Sequence, residues 1–155
     1  MDMISPTTTR VAQHTAEDVN RRIREEIEGS VACRAAGGRE AIDRRLAELD
    51  QEWNIERALE LNAAVFSLLG LTLGATRNRG WFLFPAVVAG FLAQHAVQGW
   101  CPPVPVLRRL GFRTPSEIDQ ERYALKALRG DFQDLPVVEE GGTTDVQEVL
   151  ARVCR

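Results

Sequence analysis

"GWFLFPAVVAGFLAQHAVQGWCPPVPVLRRLG", Gly80 to Gly111, is the stretch on which the fold turns. From Trp81 to Leu107 it has no acid, lysine or arginine, yet it holds His95, Cys101 and four prolines. It can be read as a buried core helix, as a membrane span, or as a site where His95 and Cys101 do chemistry. A helix rises 1.5 Å per residue, so the twenty residues from Trp81 to Trp100 cover about 30 Å, the hydrocarbon thickness of a bilayer. Trp81 and Trp100 stand at the two ends, where an indole, apolar with one polar edge, suits the membrane interface. A membrane span is therefore expected.

A second uncharged segment, Leu61 to Thr76, lies just upstream and is joined to the first by the turn "RNRG" at 77–80. It covers only about 24 Å, a deficit that local thinning and snorkelling of Arg77 and Arg79 accommodate. Gly70-x-x-x-Gly74 and Ala86-x-x-x-Gly90 are spacings that let helix backbones approach closely. Pro85 falls in the first turn of its helix, where it is tolerated. The competing reading, a soluble bundle around two buried helices, needs apolar partners on all sides. The flanking segments are too charged to supply them.

Residues 1–60 contain thirteen acids and nine arginines. Val19, Ile23, Ile27 and Val31 recur every four residues, which predicts an amphipathic helix capped near Thr15 and interrupted at Gly37-Gly38. Ile42, Leu46, Leu49 and Trp53 form a short seam on a second helix. That helix is expected to continue into the first apolar segment, and its seam to pack on the first helix, a second copy or a cytoplasmic partner. Downstream, "RTPSEI" predicts a capping box, with Thr114 as cap, Pro115 at the first position and Glu117 reaching back. That helix stops at Gly130, and a weak terminal helix follows in "TTDVQEVLARVC".

The expected fold class is thus all-α: a two-span transmembrane helical hairpin with amphipathic cytoplasmic helices before and after it. Three regions follow: a charged helical region at 1–56, the hairpin ending in Cys-Pro-Pro at 57–112, and a C-terminal helix and tail at 113–155. Arg57, Arg108, Arg109 and Arg113 flank the spans and outnumber Arg77 and Arg79 in the turn, which places both termini in the cytoplasm. Arg77, Arg79, Arg108 and Arg109 are expected at the membrane interface with the two tryptophans.

The 155 residues carry a net charge of −3, which argues against a nucleic-acid partner. Three scattered cysteines, Cys33, Cys101 and Cys154, make neither a disulfide framework nor a zinc ribbon. The first twenty residues lack the basic and apolar regions of a cleaved signal peptide.

The apolar pair ending in "GWCPPVPVLRRLG" resembles the YgaP-like transmembrane-domain family, which closes with Gly-x-Cys-Pro and a Leu-Gly a few residues later. Gly99, Cys101, Pro102, Leu110 and Gly111 match that ending, and the resemblance covers about residues 57–112. It implies a bacterial inner-membrane hairpin with cytoplasmic termini that can pair as a homodimer. Some members are fused to a rhodanese domain, for which this chain has no matching loop, so sulfur transfer does not carry over.

An ionisable residue inside a span is a functional hypothesis by default, so His95 is a candidate cofactor or metal ligand or proton relay. The alternative is a neutral imidazole hydrogen-bonded across to Asn62, Ser67 or Gln98. Cys101 is expected to end the second helix, with Pro102-Pro103 leaving the chain extended. Its thiol is either a reactive or sulfur-carrying group or a small residue chosen for a tight exit. No metal, cofactor or catalytic motif is identified. The expectation is a non-enzymatic membrane anchor or interaction module whose first partner is the lipid bilayer. An accessory to sulfur or redox transfer through Cys101, and a soluble bundle, stand as alternatives.

Overall fold

A computed structural model describes Pro6, residues 8–133, Gln147, Val149 and Val153. The terminal helix expected in "TTDVQEVLARVC", and Cys154, lie outside the described residues apart from those three positions. The described chain is helical, without a strand: α1 (Arg10–Gln13), α2 (Glu17–Ala36), α3 (Gly38–Gln51), α4 (Ile55–Thr76), a 3₁₀ turn (Arg79–Phe82), α5 (Leu83–Gln98), α6 (Val104–Arg109) and α7 (Pro115–Arg129). Two helical stretches, Gly38–Thr76 and Arg79–Gln98, are long and apolar enough to cross a membrane. Their apolar parts are α4 and α5.

The chain forms two compact units, Met1–Glu26 with Glu52–Ile118, and Ile27–Gln51 with Asp119–Arg155. In the first, α4 and α5 lie against each other because two glycines let them. A Cβ at Gly70 would stand 2.6 Å from Pro85 Cδ, and one at Gly74 would stand 2.8 Å from Phe82 Cδ1. Ala86 and Gly90 face outward instead, and a Cβ at Gly90 would meet nothing within 4 Å. The expected small-residue packing is therefore made within the chain by the first leg only. At the ends of the legs remote from the turn, Val11, Ile55, Ala58, Leu59, Cys101, Val104 and Leu107 form a buried cluster.

Helices α3 and α4 are separate, where a continuous helix was expected. Asn54 takes an extended backbone and its side-chain oxygen accepts from Arg57 N–H at 2.8 Å. The Ile55 N–H is satisfied from outside the helix, by Arg113 C=O at 2.9 Å. Thr15 is likewise not a helix cap, because its hydroxyl donates to Val11 C=O at 2.8 Å. The capping box of α7 forms as its spacing predicts: Thr114 Oγ1 accepts from Glu117 N–H at 3.2 Å, and Glu117 accepts from Thr114 N–H at 2.8 Å.

In the second unit, Ile27, Ile42, Leu46, Leu49 and Leu125 are buried. The fully buried Glu121 carboxylate joins three helices, accepting from Ser30 Oγ at 2.6 Å and from Arg45 Nε at 2.8 Å. Three members of the seam are thus used inside the chain. Trp53, the fourth, belongs to the first unit and stays exposed, with the Arg57 guanidinium 4.3 Å above its ring.

Candidate functional site

The site is built where the two legs end. Asn54 starts α4 so that Glu56 falls in its first turn, where the helix dipole favours a carboxylate. At the other end, α5 stops at Gln98 because Gly99 turns left-handed, φ +78°, and its N–H donates to His95 C=O at 2.7 Å. Gly99 also admits the N-terminal segment: a Cβ there would stand 2.6 Å from Arg10 Cβ and 2.7 Å from the Arg10 backbone. Helix α5 thus ends before Cys101, which was expected to end it.

Three ionisable side chains from three elements meet there. Glu56 Oε2 lies 3.0 Å from His95 Nε2, and Glu56 Oε1 lies 3.0 Å from Arg10 Nη2. Arg10 Nη1 also donates to Ala96 C=O at 3.0 Å, so it holds both legs. His95 is 3 % exposed and its Nδ1 is buried without a partner. An ionised carboxylate only accepts, so Nε2 carries the proton shared with Glu56. The expected partners of His95 were Asn62, Ser67 and Gln98. Asn62 is turned back onto its own helix, donating to Ala58 C=O at 2.8 Å. Glu56 and Arg10 were missed, and the only sequence signal was a carboxylate one turn before the uncharged segment. Glu56→Gln keeps an acceptor but removes its charge, so it should cost about 1 kcal/mol. Thermal unfolding in detergent micelles measures this, and an unchanged midpoint would mean the cluster holds nothing.

Cys101 is buried in the cluster below this site, and burial pushes its thiol up from the ordinary value. That disfavours the thiolate a reactive cysteine needs. The prolines after it do not leave the chain extended. Val104 N–H bonds to Cys101 C=O at 2.9 Å, and Pro102-Pro103 lead at once into α6. An apolar groove of about 180 Å³ opens between the legs above Cys101, lined by Phe66, Phe91, Leu92 and Pro102. Cys33 is an exposed free thiol. Among the described residues no three His, Cys, Asp or Glu side chains are grouped to hold a metal ion.

The interface residues divide. Trp81, Arg77, Arg79 and Arg109 are exposed and Trp100 is half-buried. Arg108, expected among headgroups, is instead fully buried. It makes a two-pronged ion pair with Glu117 at 2.6 and 2.7 Å and also donates to Thr15, Asn20 and Phe112 C=O. Burial pushes the Glu117 carboxyl up, but the hydrogen bonds from Arg108 and Thr114 outweigh it and hold the group below 4.5. The Arg10–Glu56–His95 cluster joins the ends of α4 and α5 to the N-terminal segment, and His95 Nδ1 is left without a partner among the described residues. No known protein family, curated protein or solved structure matches the chain.

Proposed function

We propose that the chain is an integral membrane protein, inserted through α4 and α5 as a two-span hairpin, that acts as a non-enzymatic anchor or interaction module. One observation carries the reading: the apolar legs are not a core. Only 22 % of the most apolar eighteen residues of Gly38–Thr76 and 6 % of those of Arg79–Gln98 are buried inside the chain. Leu68, Leu83 and Phe91 among others face outward. A soluble protein does not leave so broad a continuous apolar surface in water, whereas in a bilayer it is the matched surface. Helix α4, at 22 residues, is about 33 Å long, and its first turns, with Glu56, Arg57 and Glu60, carry it past its uncharged part to the boundary. Cytoplasmic termini in a bacterial inner membrane are part of the proposal: along the chain Arg57, Arg108, Arg109 and Arg113 outnumber Arg77 and Arg79, a bias that acts during insertion, before folding encloses Arg108. Membership of the YgaP-like transmembrane-domain family, and a homodimer, belong to the same proposal.

Alkaline carbonate extraction of membranes from cells expressing the intact chain tests insertion. Retention in the pellet is expected. Release into the supernatant would overturn the reading and leave the legs to be covered by another protein surface. The redox alternative loses support from the buried, upward-shifted Cys101 thiol. Alkylation of Cys101 no faster than Cys33 at neutral pH would end it.

A further inference from the structure

We propose that α6 is an interfacial foot, laying Val106 and Leu110 into the headgroup–acyl boundary of a leaflet containing anionic phospholipid, with Arg109 and Arg57 on its phosphates. The inference rests on the membrane reading and adds the surface and the lipid class. Helix α6 splits cleanly by side. Val104 and Leu107 are buried against Ile55, Ala58 and Leu59 of α4, which fixes α6 at the level of the first turns of that leg. Val106 and Leu110, four residues apart on the other side, are 60 % and 70 % exposed. They rank with lipid-facing leg residues such as Leu68 and Leu83 as the most exposed large apolar side chains.

The same level carries cations and an interfacial aromatic. Arg109 is exposed, and Arg57 lies over the exposed Trp53 ring at 4.3 Å. Glu60, exposed three residues after Arg57, tempers this charge. Exposed apolar side chains on a helix anchored at the first turns of the leg, with Arg109 between them in sequence and Arg57 and Trp53 at the start of that leg, fit a membrane boundary better than water. The arginines select anionic headgroups through charge-assisted hydrogen bonds to phosphate.

The test is spin-label depth in the intact chain reconstituted into nanodiscs. A single label is placed by Val106→Cys or Leu110→Cys, with Cys33→Ser, Cys154→Ser and Cys101→Ala in the background and helicity checked by circular dichroism. Val65→Cys and Val87→Cys report the legs. The labels at 106 and 110 should be more accessible to oxygen than to a water-soluble nickel complex, and lie shallower than those at 65 and 87. They should sit deeper in discs containing phosphatidylglycerol than in phosphatidylcholine alone, and Arg57→Gln with Arg109→Gln should abolish the difference. Labels open to nickel at 106 and 110 but not at 65 and 87 would overturn the foot while leaving insertion intact. Labels shielded from both reagents would overturn it in favour of a protein contact, and equal depth in both lipids would overturn the anionic assignment. Nickel access at all four positions would overturn insertion itself.

Discussion

In Arg108→Met, unfolding in detergent micelles at pH 7 should lose about 3–5 kcal/mol, because one half of a buried ion pair is removed and the other stays. Arg108 is fully enclosed, and its guanidinium serves Glu117 together with Thr15, Asn20 and Phe112 C=O. It thereby ties α6 to the start of α7 and to the segment before and within the first turn of α2. Methionine fills much of the volume but satisfies none of these acceptors. Adding Glu117→Gln should restore part of the loss, since the amide keeps the capping box and removes the uncompensated charge. A double variant whose loss equals the sum of the singles would show that the pair is not coupled.

The pH dependence gives this prediction a sign. In the native chain the folded Glu117 carboxyl lies below its ordinary 4.5. Its contribution is therefore complete above that value and is lost as pH falls through the folded value. Without Arg108, burial is the largest influence left on the carboxyl, so its folded pKa rises above that of the native chain. The deficit of the variant should be full at neutral pH and narrow as pH falls through the variant's raised value. A deficit constant from pH 7 to the acid limit would assign the loss to packing alone.

How far the sequence carried the structure depended on the range of each interaction. The capping box of α7 was legible because Thr114 and Glu117 stand three residues apart, and one helical turn decides their geometry. The two apolar legs were legible because uncharged runs of that length need no partner to be recognised. The break at Glu52–Asn54 is also local, but its cap competes with a spacing from Ile42 to Trp53 that fits helix equally well. Supporting the start of α4 takes the Arg113 carbonyl, 58 residues downstream of Ile55. The Glu56–His95 pair and the enclosure of Arg108 were not legible at all. Each requires three or more segments to converge, and a charge count near a span treats Arg108 and Arg109 alike. Only the fold separates them, one inside and one outside.

Gly70→Leu should cost about 1–3 kcal/mol, whereas Gly90→Leu should stay within about 0.5 kcal/mol. Both glycines sit in apolar legs at the same small-residue spacing, so sequence alone predicts the same result for both. The structure does not. A side chain at Gly70 enters Pro85 and Phe84, with Cδ atoms 2.6 and 2.9 Å from its Cβ, while one at Gly90 enters open space. A proline ring cannot rotate away, so the legs must separate, and Gly74 against Phe82 one turn further on would lose its contact too. In lipid, water supplies no drive to close the gap again, so the loss of close packing is not repaired by the hydrophobic effect. Thermal unfolding in micelles compares the two variants, and chemical cross-linking reports whether either changes the number of copies. An equal loss at Gly90 with a change in cross-linked species would mean the outer face of α5 is itself packed, by a second copy of the chain. A loss at neither position would mean that Gly70 is not a contact point and that the legs are held together elsewhere, at the turn by Gly74 and Phe82 and at the open ends by Arg10, Glu56 and His95.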